Sequence, residues 1–393
     1  MSCERGIGGS SPCLECKKPE WLADLGDQRA TYRRPLSRLH TLSRLVVFRA
    51  NGGPGVGNGH IIRCLALAQG LSSLGWSTML AASKVTFSTM PQASKFDRMI
   101  HLDANMDEVK RLAGVIEGKA DLLVIDDYAQ DIQFEESCRM WARKILVIDD
   151  LANRHHDADY IVDPGTQSVT SYDSLVPRHC QRLLGPKWAL LRPEFSVRRQ
   201  TALGRRQLDA PVQRILIAIG GADGRNLTPS LISAATAATA GLNVSLDVIL
   251  GGYASSLAAV REMQQQEPAS FDLHIDTDKV ASLMSSADVA IGACGVGSWE
   301  RCAMGLPTIG IITAENQKPL ASVLYEAGAI DLIGESAEAT KAGIEAAITS
   351  LLNNPHVRQT MSAAASELCD GGGIYRLSAV LDGTKIRQDL HDW

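Results

Sequence analysis

The sequence predicts an α/β protein of two doubly wound domains facing a central cleft. Three observations carry this: from residue 45 onward short apolar runs alternate with stretches of helical periodicity, the series occurs twice, and each series opens with a glycine-rich connection from its first apolar run into its first helix. Residues 45–48, 77–82, 122–125 and 145–148 are brief and apolar, as strands covered on both faces of a parallel sheet must be. Between the first two, Ile61, Leu65, Ala68 and Leu71 recur at helical spacing, and Gly75 stands where a helix C-terminal cap would need it. The strand signal resumes at residues 215–219, 244–250, 289–291 and 308–312, with a helix expected over residues 227–240. The polar, arginine-rich stretch 197–211 has the composition of a linker and divides a first domain, residues 45–196, from a second, residues 212–393. Both are expected to be Rossmann-like, taking ligands at the carboxyl ends of their strands and in the cleft between them.

At 393 residues, 45% hydrophobic and 21% charged, the chain is long enough for two ordinary cores. A net charge of −5 provides no broad positive field, so neither nucleic acid nor stable membrane association is expected. No apolar run approaches the roughly 18 residues that span a bilayer. Glu4, Arg5, Glu15 and Lys17 interrupt the place where a secretory leader would be apolar, and the expected location is cytoplasmic. The nine cysteines are odd in number and scattered, which is no disulfide framework. Cys13-Leu14-Glu15-Cys16, with Cys3 nearby, is half of a zinc site that no second pair completes. Residues 1–44 have no apolar periodicity and read as a disordered extension. No metal and no cofactor are expected.

The segment from Arg49 to Cys64 is the most informative. It follows the first strand, places five glycines within eight residues (Gly52, Gly53, Gly55, Gly57 and Gly59) and opens the first helix at His60. Such a loop permits left-handed backbone and close ligand approach, and the helix start offers free amides to an anion. It lacks both the GxGxxG spacing of dinucleotide folds and the GKS/T ending of a P-loop, so it supports neither a nicotinamide site nor a kinase-type ATP site. The positive end of the helix favours a neutral imidazole at His60, hence a usable base, and Arg63 one turn on can reach a phosphate.

Asp126-Asp127-Tyr128 closes the third strand at the ligand-facing end of the sheet. Two readings of Tyr128 stand: its hydroxyl orients His60 or a water, or its ring packs over the domain edge. Asp149-Asp150 closes the next strand, followed by His155, His156, Asp157 and Asp159; adjacent histidines point apart, so a loop role is preferred to a metal site. In the second domain, Gly220-Gly221-Ala222-Asp223 forms a second cradle, with Asn226 or Thr228 available as helix caps. Gly295, Ser298 and Glu300 open a later helix. Glu300 is placed either to accept ribose hydroxyls or only to complement the helix dipole. Asn316 and Gln317 supply neutral amides toward the same cleft.

These segments together resemble the UDP-2,4-diacetamido-2,4,6-trideoxy-β-L-altropyranose hydrolases of pseudaminic acid biosynthesis, which are similar in fold to glycosyltransferase-B enzymes. The resemblance spans about residues 45–380. It rests on Arg49-Ala50-Asn51, Gly57-Asn58-Gly59-His60-Ile61-Ile62-Arg63-Cys64, Val124-Ile125-Asp126-Asp127-Tyr128, the run from Leu184 to Arg192, Gly220-Gly221-Ala222-Asp223, Trp299-Glu300-Arg301-Cys302 and Glu315-Asn316-Gln317, all in the expected order. It implies that His60 activates water for inverting attack at the anomeric carbon, that Tyr128 positions that water, and that Glu300 and the glycine loops hold UDP without a metal. UDP is already a good leaving group, so one base suffices where ordinary glycosidases need two carboxylates. Two departures stand out. Asn51 replaces a usual Asp, and Ala293-Cys294-Gly295-Val296-Gly297 replaces a usual Ala-Gly-Gly-x-Thr. The competing readings are an inverting glycosyltransferase with the same donor and a nucleotide-sugar-binding protein without catalysis.

Overall fold

The computed structural model describes residues 44–384 apart from residues 166, 167, 169, 208 and 209, so Cys3, Cys13, Cys16 and the N-terminal extension lie outside the described residues. The first lobe opens with β1 (Leu45–Ala50), α1 (Gly59–Ser73), β2 (Ser77–Ser83), α2 (Lys84–Thr89), β3 (Arg98–Leu102) and α3 (Glu108–Val115). It continues through β4 (Leu122–Asp126), α4 (Ile132–Cys138), β5 (Ile145–Ile148), β6 (Tyr160–Asp163) and β7 (Gln181–Leu184). Its seven strands lie in the order β3-β2-β1-β4-β5-β6-β7, every neighbouring pair parallel. β1 and β4, at the centre, are fully buried apart from Leu45, as their apolar runs required. α1 ends as expected, with Gly75 in the left-handed region (φ 87°) and its amide donating to the Ser72 carbonyl at 3.0 Å.

The stretch expected to be a linker is mostly helix: α5 runs Pro193–Arg206. Proline in its first turn, Glu194 beside it and Arg205 and Arg206 in the last turn match the helix polarity. Polar composition hid it because only Phe195, Ala202 and Arg206 are buried. The second lobe follows with β8 (Arg214–Ala218), α6 (Thr228–Ala238), β9 (Ser245–Leu250), α7 (Leu257–Gln266), β10 (Asp272–Ile275) and α8 (Val280–Ser286). β11 (Val289–Ala293), α9 (Gly297–Ala303), β12 (Thr308–Ile312), α10 (Lys318–Glu326) and β13 (Asp331–Glu335) complete its sheet, ordered β10-β9-β8-β11-β12-β13 and again parallel. α11 (Lys341–Asn353), α12 (Pro355–Leu368) and α13 (Gly373–Asp382) end the described chain. No helix among the described residues is long and apolar enough to cross a membrane.

A division at residue 212 does not separate the two packing units at the chain's end. α13 returns to the first lobe, where Ile374 and Leu377 join the cluster of Phe48, Leu67 and Leu71. There the Trp76 indole N–H donates to Asp382 at 2.8 Å, and Arg44 pairs with the same carboxylate. Removing a buried branched side chain forfeits transfer energy and leaves a cavity. Ile374→Ala is therefore expected to destabilise the first lobe by about 2–4 kcal/mol, read as lost amide-exchange protection in β1 and α1 while β8 and β9 keep theirs.

Candidate active site

The carboxyl ends of both sheets open onto one cavity of about 1090 Å³, at the upper end of the roughly 300–1,000 Å³ usual for small-molecule sites. The β1–α1 loop forms part of its wall. Gly53 and Gly57 exchange backbone hydrogen bonds at 3.0 and 2.8 Å, and their φ values of 111° and 87° are ones that side chains rarely tolerate. Opposite, a Cβ on Gly221 would collide with the Asn58 amide, so the two glycine connections touch across the cleft.

His60 stands in the first turn of α1, buried to 8% exposure yet lining the cavity. Its ring meets Tyr128 edge-on, with centroids 5.0 Å apart at 83°. Asp126, at the end of β4, approaches His60 Nε2 to 4.0 Å, near for an ion pair but beyond hydrogen-bond distance. That carboxylate accepts two hydrogen bonds from Arg63, one turn along α1, at 2.6 and 2.5 Å. Burial alone would raise the Asp126 pKa; the Arg63 guanidinium outweighs burial and holds it below the usual carboxylate range. Arg63 also reaches Asp150 at 3.3 Å. The Tyr128 hydroxyl donates to Asp150 at 2.6 Å and lies 3.4 Å from the Asn316 amide of the second lobe. Burial, then the Asp150 charge, raises the Tyr128 pKa and keeps it a phenol. Its hydroxyl is thus committed to Asp150, and its contact with His60 is through the ring.

Arg49 and Asn51, expected at the substrate, do not line the cavity. Alternation along β1 turns Arg49 toward the face of Val47, away from Phe48, Ala50 and α1. There it binds Glu108 through two hydrogen bonds, at 2.6 and 2.9 Å, and Asp127 at 2.8 Å. Asn51 donates to Asp127 at 2.9 Å and accepts from the Ser83 amide at 2.9 Å, tying the loop to β2. Asp126 and Ser298 also sit behind the wall rather than in it; Ser298 Oγ accepts from Arg301 at 2.9 Å. Gly57, Gly59, His60, Arg63, Tyr128, Gly220, Gly221, Gly295, Glu300, Asn316 and Gln317 all line the cavity.

In the second lobe the cap of α6 is Asp223, not Asn226 or Thr228: its carboxylate accepts from the amides of Leu227 and Thr228 at 2.9 and 3.1 Å. These amides are therefore unavailable to a ligand. Glu300 accepts from Arg192 at 3.2 Å, and burial raises its pKa against the pull of that guanidinium. Gln317 turns its carbonyl to the Thr313 amide at 2.9 Å.

Asp163 and Arg192 also line the cavity: Asp163 has no signal in the sequence beyond its place at the end of β6, whereas Arg192 closes the run from Leu184 and directly precedes α5. Asp163 belongs to a buried chain of acids. His156 contacts Glu135 through Nδ1 at 2.7 Å and faces Asp149 at 3.9 Å; these carboxylates overcome burial and raise the His156 pKa. Arg154 binds Asp149 at 2.9 Å. The Tyr172 hydroxyl lies 2.9 Å from both Asp149 and Asp163. One hydrogen cannot serve two ionised carboxylates, so the second contact needs a proton on one of them. Asp149 is held low by His156 and Arg154 against the effect of burial, whereas burial pushes Asp163 up to about 6. The shared proton therefore resides on the Asp163 side.

No family model matches the chain. It is 23% identical over 349 residues to the spore coat polysaccharide biosynthesis protein SpsG of Bacillus subtilis, covering 87% of this chain and 97% of that one. It is 29% identical over 194 residues to the UDP-2,4-diacetamido-2,4,6-trideoxy-β-L-altropyranose hydrolase of Campylobacter jejuni, covering 48% of this chain and 64% of the other. Among solved structures it superimposes on MurG of Acinetobacter baumannii with TM-score 0.58 at 15% identity, covering 87% of this chain and all (100%) of that one. The UDP-GlcNAc 2-epimerase of Neisseria meningitidis bound to UDP-GlcNAc gives TM-score 0.56 at 13% identity, covering 87% and 100%. The fold is of the glycosyltransferase-B type. The resemblance read from the ordered motifs agrees with the Campylobacter relative.

Asp163 carries a pH signature. With its carboxyl raised from 3.8 to about 6, the folded chain keeps a proton that the unfolded chain has released, so stability declines as pH rises across that interval and remains lower above it. Asp163→Asn removes this loss. At pH 7.5 the variant is expected to unfold later than the parent in a denaturant titration, by up to about 3 kcal/mol for a shift of two units, and to gain nothing at pH 4. Equal gains at both pH values would place the proton elsewhere.

Proposed function

We propose that this chain binds a UDP-sugar across the interlobe cavity and hydrolyses the bond between the anomeric carbon and the diphosphate. In this reading the first lobe carries the sugar and the catalytic groups, and the second lobe carries the nucleotide. The observation that bears most weight is His60: a cavity-lining imidazole at the start of α1, backed by the buried Asp126 carboxylate and flanked by the Tyr128 ring. The ordered motifs, the Campylobacter relative named as a UDP-sugar hydrolase and the Bacillus relative named for polysaccharide biosynthesis support the same reading.

The chemistry follows from these groups. The His60 imidazole takes a proton from water as the water oxygen bonds to the anomeric carbon, and the carbon–oxygen bond to the β-phosphate breaks as UDP leaves. Asp126, already ionised through Arg63, stabilises the imidazolium that forms, as a buried carboxylate does beside other catalytic histidines. Tyr128, held by Asp150, limits where the imidazole can tilt. Glu300 accepts from the nucleotide ribose once it is drawn from Arg192.

Incubation of the purified chain with UDP-sugars in water tests this. Wild type is expected to release UDP without an added acceptor; His60→Ala should lower kcat by about 10²–10⁴, the usual contribution of a general base, and leave UDP binding within about threefold. UDP release only when a sugar or lipid acceptor is supplied would identify a transferase instead, and binding without turnover would leave a nucleotide-sugar-binding protein.

A further inference from the structure

The second lobe buries a cation that has no ion-pair partner among the described residues. Arg301, in α9, is 3% exposed, and no carboxylate lies within ion-pair distance of it among the described residues. One terminal nitrogen donates to the Ala293 carbonyl at 2.7 Å and to Ser298 Oγ at 2.9 Å, while Nε has no partner. The other, Nη1, lies against Gly292, where a Cβ would come within 2.5 Å of it, so β11 has no side chain at the place the guanidinium occupies. Glu300, next in sequence, turns its carboxylate to Arg192. The other deeply buried arginines of the sheet ends are neutralised: Arg49 by Glu108 and Asp127, Arg63 by Asp126 and Asp150. Arg206, also buried, ends on the carbonyls of Met284 and Ala287 and does not line the cavity, whereas Arg301 does.

A buried charge left uncompensated weakens a fold, and burial lowers the Arg301 pKa accordingly. Such a group is retained where something else supplies the opposite charge. We propose that Arg301 is the counter-charge for the diphosphate of the nucleotide, reached through the loop Ala293–Gly297 that it braces, and that it separates binding of a nucleoside diphosphate from binding of the nucleoside alone. The proposal rests on the nucleotide-sugar reading above for the identity of the anion, but its physical basis is the unpaired guanidinium.

The test compares the full-length wild type with Arg301→Met, Arg301→Gln and Arg301→Lys, measuring melting temperature without ligand and affinity for UDP, uridine and inorganic pyrophosphate. Arg301→Met should melt no lower than wild type without ligand and lose UDP affinity roughly ten- to hundredfold, the range of a lost hydrogen bond to a charged group, while uridine affinity stays the same. Arg301→Lys should retain most of the preference for UDP over uridine. Arg301→Gln, which removes the charge but keeps a polar amide on a shorter side chain, gives the same reading where the methionine variant does not fold. A lower melting temperature in the neutral variants with an unchanged UDP-to-uridine ratio would reduce Arg301 to a loop brace and overturn the proposal, leaving the nucleotide reading intact. Arg301-dependent binding of pyrophosphate and of several nucleoside diphosphates without preference for UDP would uphold the counter-charge and overturn the UDP reading. Failure of the wild type to bind any of these anions would overturn both.

Discussion

Five carboxylates crowd the ends of three adjacent parallel strands, and the arginines that divide them decide which groups face the cavity. Asp126 ends β4 and Asp127 follows it, Asp149 and Asp150 follow β5, and Asp163 ends β6, on strands about 4.8 Å apart. Arg49 takes Asp127 to the far face, Arg154 takes Asp149, and Arg63 bridges Asp126 and Asp150. Without Arg63 the buried Asp126, the carboxylate near His60, and the part-exposed Asp150, which holds Tyr128, would lose the cation they share. The geometry around His60 is therefore an outcome of charge partition across the sheet. Asn51 fits the same account: its amide donates to Asp127, whereas a carboxylate in its place would meet Asp127 as a like charge.

Continuous apolar runs made the centre of each sheet legible and left the edges, and the short interior strand β6, hidden. The apolar runs that became β1, β2, β4, β5, β8, β9, β11 and β12 are covered on both faces, so burial wrote itself into consecutive residues. β3, β7, β10 and β13 are edge strands with half-exposed side chains, and sequences such as Arg98-Met99-Ile100-His101-Leu102 carry no continuous apolar signal. α5 was obscured in the same way by its polar, arginine-rich composition. At the site, glycine spacing and helix starts located the cavity wall, because those features are local. What strand alternation does to Arg49, and which acid Arg63 selects, depends on pairing between segments far apart in the chain; a motif gives the residue but not the face it occupies.

Among the groups on the cavity wall whose environments oppose their charged forms are Asp163, whose carboxyl is raised by burial, and Arg301, whose guanidinium is lowered by it. Neither is what a fold selected for stability alone would keep. Perturbed ionisable groups gather where binding or catalysis needs them, and here both lie at sheet ends that share one cavity. The acids deeper in the first lobe, Asp149 and Glu135, are by contrast paired with Arg154 and His156.

The lobes meet across the cavity through contacts that are individually weak. Lys95 pairs with Asp278 at 3.0 Å on the surface, the Tyr253 hydroxyl donates to the Ser88 carbonyl at 3.3 Å, and Asn316 reaches Tyr128 at 3.4 Å. Exposed pairs of this kind contribute about 0–1 kcal/mol each, too little to fix the cleft by themselves. The durable tie lies elsewhere, where α13 crosses back to bury Ile374 and Leu377 in the first lobe. With the chain secured there, the contacts at the cavity mouth can form and break at small cost. One of them ends on Tyr128, so the second lobe's position bears directly on the ring that flanks His60. A ligand that draws the second lobe inward would press on that ring, and through it on the His60 imidazole, by way of the Asn316 contact.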